Sequence, residues 1–234
     1  MADRSAIEWT EATWNPVTGC DRVSPGCDHC YAMTLAKRLK AMGAAKYQND
    51  GNPITSGPGF GVTMHYASLD EPFRWRRPRI VFVNSMADLL HARVPLSFIR
   101  EVFDVMRATP QHTYQILTKR SLRLRRIADT LDWPDNVWMG VSVENSAVLH
   151  RLDHLREVPA AVRFISCEPL LGLLDGLNLD SIDWVIAGGE SGPNFRPVEA
   201  DWVRHIRDVC NAAEVSFFFK LLCTNESEQS VVAA

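Results

Sequence analysis

Along most of the chain, apolar residues follow one of two periods. Five short runs rich in β-branched and aromatic residues, at 79–84, 113–118, 136–143, 162–166 and 183–187, read as strands covered on both faces. Stretches between and after them carry apolar residues at helical spacing. These are 96–108 with Ile99, Val102, Phe103 and Met106, and 121–131 with Ser121 as its N-cap. A stripe of Leu149, Leu152 and Leu155 follows, and then 200–213 with Trp202, Val203, Ile206, Val209 and Cys210. Val215 to Phe219 reads as a last strand. Upstream, residues 7–19 predict a first short strand, and Tyr31 to Met42 a helix with Leu35 and Leu39 on one face and Gly43 as its stop. Residues 48–72 lack any period and are rich in Gly, Pro and Asn, which predicts a long loop of the kind that forms lids or binding segments.

Strands alternating with amphipathic helices mean repeated βαβ units and a parallel sheet covered by helices. The expected fold class is α/β, a partial or complete (β/α) barrel of about six parallel strands. It should occupy residues 1–220 as one domain, followed by an atypical tail at 221–234. With 46% hydrophobic residues over 234 positions, the chain can bury a full core. A net charge of −3 announces neither nucleic acid nor a membrane surface, so any basic surface must be local. No apolar run approaches the roughly 18 residues of a membrane span, and the N-terminus has no signal-peptide core. The expectation is a cytoplasmic protein whose six cysteines are kept as thiols, which makes a disulfide framework the weakest reading of them.

Cys20-Asp-Arg-Val-Ser-Pro-Gly-Cys27-Asp-His-Cys30 places three thiols within eleven residues, with six residues between the first pair and two between the second. The two-residue spacing lets thiolates converge on a metal centre, and the Ser24-Pro25-Gly26 turn returns Cys20 to them. Three thiolates are one short of a closed site. They suit zinc completed by His29 or a more distant histidine, or a metal centre left with an open position. In a barrel, the C-terminal strand ends face the active site. There the chain places Asn84, Ser85 and Asp88 after the second predicted strand, and Thr118, Lys119 and Arg120 after the third. Ser142, Glu144 and Asn145 follow the fourth, Cys167 and Glu168 the fifth, and Gly188, Gly189, Glu190 and Ser191 the sixth. One such cluster is ordinary turn chemistry. A set of them at nearly every strand end marks a rim.

A three-cysteine loop after the first strand of a partial barrel resembles the radical S-adenosylmethionine superfamily. Within it, the chain is similar to a bacterial and phage family with a three-cysteine motif and an unassigned substrate. The likeness lies in Trp14-Asn-Pro-Val-Thr-Gly-Cys20, Val83-Asn-Ser-Met-Ala-Asp88-Leu-Leu-His91 and Leu117-Thr-Lys-Arg120. It continues in Gly140-Val-Ser-Val-Glu-Asn145, Phe164-Ile-Ser-Cys-Glu-Pro169 and Gly188-Gly-Glu-Ser-Gly192, and spans roughly residues 7–220. The resemblance implies a [4Fe–4S] cluster on Cys20, Cys27 and Cys30, with the fourth iron left for the amino and carboxylate groups of S-adenosylmethionine. It implies reductive cleavage of that cofactor and hydrogen abstraction from a substrate, a nucleic acid or a protein, with a flavodoxin or ferredoxin as electron donor.

By matching position, the resemblance puts Asn84 and Ser85, with Asp88, near the methionine amino group, and Ser142 and Glu144 at the ribose. Lys119 or Arg120 would meet the methionine carboxylate or a substrate phosphate. Glu168 joins the cofactor site, and Gly188-Gly189 forms a close-approach turn beside it. The chain departs from the superfamily's commonest motif in two places. Six residues replace three between the first two cysteines, and His29 replaces an aromatic before the last one. The alternative function is a zinc-stabilised nucleic-acid-binding module without catalysis.

Of the remaining signals, Cys210 reads as core, Cys167 as either packing or site, and the scattered histidines as surface or core residues. Two basic clusters stand out, Arg74-Trp75-Arg76-Arg77 with Arg79, and Lys119-Arg120 with Arg123, Arg125 and Arg126. Each is a solvated face or a phosphate-contacting patch, in the first case with Trp75 stacking on a base.

Overall fold

In the computed structural model, which describes residues 5, 7–190 and 195–220, seven strands form one parallel sheet. They are β1 (Ala12–Trp14), β4 (Ile80–Val83), β5 (Thr113–Thr118), β6 (Val137–Ser142), β7 (Val162–Cys167), β8 (Trp184–Ala187) and β9 (Ser216–Phe219), in that spatial order. About six were expected, and the last predicted strand joins the same sheet as the seventh. The first predicted strand, 7–19, is split into β1 and a separate β2 (Val17–Thr18), which pairs antiparallel with β3 (Thr63–Met64); two residues show no period, so β3 gave no sequence signal. The helices are α1 (Tyr31–Ala41), α2 (Leu96–Ala108), α3 (Ser121–Ile127), α4 (His150–Arg156) and α5 (Ala200–Ala212). β1 and β9 are the sheet's two edges, so the barrel is partial.

Strand residues alternate between two apolar environments, which is why their runs read as continuous. On the outer face Val81, Val83, Ile116, Met139, Ile165 and Val185 join the large core with Phe98, Val102 and Met106 of α2 and Val203 and Ile206 of α5. The inner face is graded along the strand direction. Its floor holds Phe82, Phe164 and Ile186 with Trp9, flanked by Leu117, Trp138, Trp184 and Phe218. Gly140 lies opposite Leu117 and Phe164 in this floor, and the Phe164 ring takes its side-chain space, since a Cβ there would lie 2.5 Å from the ring. One level higher, Ser142 pairs with Ser166 across the strands. Beyond the strand ends come charged groups. Trp9, from the segment before β1, closes the floor with its ring centroid 4.7 Å from that of Phe82.

Several local expectations change. α1 buries Ala32 and Ala36, with Leu35 37% exposed, because small residues let this helix lie close over Phe60 and Met86. The Ser121 hydroxyl meets His154 Nδ1 instead of capping α3, and the helix tightens into a 3-10 turn at Ala128–Thr130. Residues 48–72 are not a free loop: they supply β3, and Thr55 and Ser56 bond to Asp21 in the cysteine loop. Gly19 fits this packing alone, with a φ of +86° and a Cβ position only 2.3 Å from the Gly61 carbonyl oxygen. Cys167 and Cys210 are both fully buried. The tail at 221–234 with Cys223, and the residues Ser191 and Gly192 of the glycine motif, lie outside the described residues. No helix among the described residues is long and apolar enough to cross a membrane.

Candidate functional site

The C-terminal strand ends enclose a cavity, and most of the sequence-predicted site residues line it. Cys20, Cys27 and Cys30 reach it from the loop between β2 and α1, and Asn84, Ser85 and Asp88 from the end of β4. Thr118, Lys119 and Arg120 follow β5, Ser142 ends β6, Ser166 and Glu168 come from β7, and Gly189 and Glu190 follow β8. Trp9, Phe82 and Leu117 form its apolar base. Of the expected residues, Glu144, Asn145, Cys167 and Gly188 are not on the wall.

Arg120 joins the two halves of the site. One guanidinium nitrogen donates to Cys20 Sγ at 3.3 Å and to Asp88 at 3.0 Å, and the other to the Asp21 carbonyl at 3.0 Å. Asp88 is itself held by Thr118 Oγ1 and by the backbone N–H groups of Leu90 and Lys119. Burial, then the Asp88 charge, push the Cys20 thiol up to about 12, with Arg120 acting against them. A positive centre bound at the sulfur reverses that balance, because ligation takes the thiolate.

Asn84 has a left-handed backbone, φ +63°, which asparagine tolerates better than most residues. Its Oδ1 accepts from Val17 N–H at 3.1 Å, and its Nδ2 is buried with no hydrogen-bond partner among the described residues. Lys119 Nζ donates to Ser142 Oγ at 3.2 Å, and Lys220, at the end of β9, pairs with Glu168. Tyr31 donates its hydroxyl to the Ser85 carbonyl at 2.6 Å.

The long spacer between Cys20 and Cys27 has a structural reason. It carries the loop across the cavity mouth to two carboxylates on the far rim. Ser24 donates to Glu144, whose side chain is fully buried and is also held by Arg151 at 2.8 Å. His29 Nδ1 meets Glu190 at 2.8 Å, and Arg196 ties Glu190 to the Pro25 carbonyl, which it reaches at 2.8 Å. Burial acts to raise the Glu190 carboxyl, but hydrogen bonds from Arg196 and His29 bring it down to about 2. Asp21 behaves alike: burial is outweighed by Thr55, Ser56, Arg93 and His91, and it also falls to about 2. Gly188 sits behind the wall, where a Cβ would lie 3.2 Å from Lys220 Cβ.

Sequence reasoning missed Trp9, Ser166 and Lys220 as cavity residues. Ser166 was legible from alternation, since Cys167 faces the outer core and its neighbours must face in. Lys220 obeys the strand-end rule that found the others. Trp9 lies within the predicted strand 7–19, but β1 begins only at Ala12, and nothing in that run marks Trp9 as a cavity residue. Of the first basic cluster, Trp75 packs edge-on against His112 at 5.3 Å and Arg79 lies 5.5 Å over its ring, while Arg74, Arg76 and Arg77 are exposed.

The seven-stranded parallel partial barrel is shared in fold with solved structures of spore photoproduct lyase. The chain is similar to spore photoproduct lyase complexed with dinucleoside spore photoproduct, with a TM-score of 0.56 at 11% identity, covering 93% of this chain and 78% of that one. It is also similar to a mutant of that enzyme with bound AdoMet and the same dinucleoside, with a TM-score of 0.50 at 12% identity, covering 88% and 62% respectively. The chain belongs to the family described as "Protein of unknown function (DUF5131)", which matches residues 4–232. No curated protein matches it.

Proposed function

We propose that this chain is a radical S-adenosylmethionine enzyme in which Cys20, Cys27 and Cys30 hold a [4Fe–4S] cluster. The observation that carries the proposal is the shared cavity: three thiols face the same space as polar side chains from the ends of β4 to β9. The residues suit the groups. Thiols that bind separate irons need not meet at one point, and among the described residues no three His, Cys, Asp or Glu side chains close around a single ion. Asn84 Nδ2 is a buried donor without a partner, which an acceptor oxygen of a ligand would satisfy. AdoMet bound to a protein of the same fold points the same way. The zinc-stabilised module needs its ligands to converge on one ion, so the geometry favours it less.

When bound, the cluster supplies the single electron that breaks a sulfonium C–S bond, giving methionine and a 5′-deoxyadenosyl radical. The chain's part is binding and orientation. Asn84 has its oxygen engaged and a donor free, so it is assigned to the methionine carboxylate instead of the ammonium. Asp88 and Glu168 are carboxylates on the same wall, and the Ser142 and Ser166 hydroxyls suit a ribose. Glu144 is assigned to anchoring the cysteine loop, and Gly188 to the close approach of Lys220. Membership of the bacterial and phage three-cysteine family is part of the same proposal and rests on the motifs at 83–91 and 140–145. A dinucleoside bound to a neighbour of this fold favours a nucleic acid over a protein as substrate.

Anaerobic reconstitution with iron and sulfide should load about four irons per chain, and dithionite should then drive 5′-deoxyadenosine formation from S-adenosylmethionine. A fully loaded protein that never cleaves the cofactor overturns the proposal. One zinc and no iron in anaerobically purified protein would establish the zinc-stabilised module in its place.

A further inference from the structure

Outside the cavity, a second groove runs along the other side of the cysteine loop. Val23, Ser24 and Pro25 form one wall, and the start of α3 forms the opposite one. Among the described residues five cations line it, Lys119, Arg120, Arg123, Arg126 and Arg151, and no carboxylate does. Two of these are neutralised by contact, Arg120 by Asp88 and Arg151 by Glu144. The other three are not. Lys119 donates to Ser142, Arg123 donates to backbone carbonyls of Leu90, His91 and Val94, and Arg126 makes no ion pair among the described residues. Two large apolar side chains stand exposed at its edge, Val23 at 48% and Leu122 at 46%. Arg120 lines both the groove and the cavity and touches Cys20 Sγ, so the groove is one side chain from the metal-binding thiols.

We infer that this groove docks the electron donor, an acidic one-electron carrier protein. The inference rests on the proposed radical chemistry, which requires an electron from outside. One electron passes from the reduced carrier to the cluster, and the carrier is left oxidised by one electron. Electron transfer falls off steeply with distance, which places the donor beside the cysteine loop. The charge is complementary to an acidic surface, and the apolar pair at the edge supplies the centre that a protein interface needs. A nucleic-acid backbone would use the cations but leave Val23 and Leu122 without a role, and three uncompensated cations are few for phosphate-driven binding.

The test uses reconstituted enzyme and reduced flavodoxin as the acidic carrier, with dithionite as a small reductant that needs no docking. Leu122→Asp and Arg126→Glu, singly and together, are compared with wild type for iron content and for 5′-deoxyadenosine formation. The double variant should raise the apparent KM for flavodoxin by about tenfold, with the dithionite-driven rate unchanged. Added salt should weaken the wild-type reaction with flavodoxin and not that with dithionite. An unchanged KM for flavodoxin overturns the inference, as does an equal loss with both reductants. Weakened binding of a DNA oligonucleotide with an unchanged flavodoxin KM overturns it too, and gives the groove to nucleic acid. Absence of product from wild type with dithionite is a separate result: it overturns the radical reading itself, and the docking inference falls with it.

Discussion

At the scale of single residues, Arg120 and Asn84 divide the work of the site. Arg120 places a positive charge 3.3 Å from Cys20 Sγ, and hydrogen bonds and charge at ligand sulfurs help set a cluster's potential. Arg120→Gln should therefore make the proposed cluster harder to reduce. A redox titration of the reconstituted protein should show a midpoint more negative by about 60 mV for each tenfold change in the one-electron equilibrium, with Arg120→Lys shifting less. Asn84 contributes an unpartnered donor. Asn84→Asp keeps an oxygen for Val17 N–H and tolerates the left-handed backbone, but turns the free donor into a second anionic oxygen. Calorimetric titration should show S-adenosylmethionine affinity falling about tenfold or more, a loss of about 1.4 kcal/mol. Unchanged affinity would remove Asn84 from the proposed cofactor site.

At the scale of elements, the cysteine loop is a strap fastened at both rims, and its fastening on β8 is sensitive to acid. The Glu190 carboxyl lies at about 2 in the folded chain against an ordinary 4.5, so the unfolded chain takes up the proton first as pH falls. The stability Glu190 contributes is complete above pH 4.5 and is lost between 4.5 and about 2. Glu190→Gln should cost about 2 kcal/mol near neutral pH, since it weakens charge-assisted bonds to Arg196 and His29. Urea unfolding of the variant should also lose part of the acid dependence in that window. Asp21, lowered to about 2 from 3.8, keeps the remainder. A variant with the same acid slope as wild type would show that the strap is not what Glu190 holds.

At the scale of the whole molecule, the sheet buries both faces, and the inner one is sealed by a residue from outside the barrel repeat. Trp9 packs against Phe82 and lies 6.2 Å from Trp184 and 6.5 Å from Phe164, centroid to centroid. Trp9→Ala should lower global stability by about 3–5 kcal/mol, read as a shifted urea midpoint with the transition still cooperative. A loss under about 1 kcal/mol would mean that the floor closes without it. The same gradient from aromatic floor through hydroxyls to charged rim fits a ligand with one planar end and several polar groups.

How much of this was legible follows from which interactions are local. Strand and helix order could be read along the chain, because the period of apolar residues reports directly on which faces are covered. The strand-end residues Asn84, Asp88, Lys119, Ser142 and Glu168 could be read by the same logic, and all of them line the cavity. Leu35 misled because a helix lying close over Phe60 buries its alanines instead of its larger residues. The sequence by itself determined a parallel α/β barrel, its polar rim and a three-thiol loop, since each rests on spacing within a few residues. Only the tertiary structure decided that Glu144 and Glu190 hold that loop and that Arg120 stands between cavity and groove. Trp9 as the floor of the barrel belongs with them. Those contacts join residues about 70 to 160 positions apart, such as His29 with Glu190 and Trp9 with Phe82, and no local pattern carries a contact of that range.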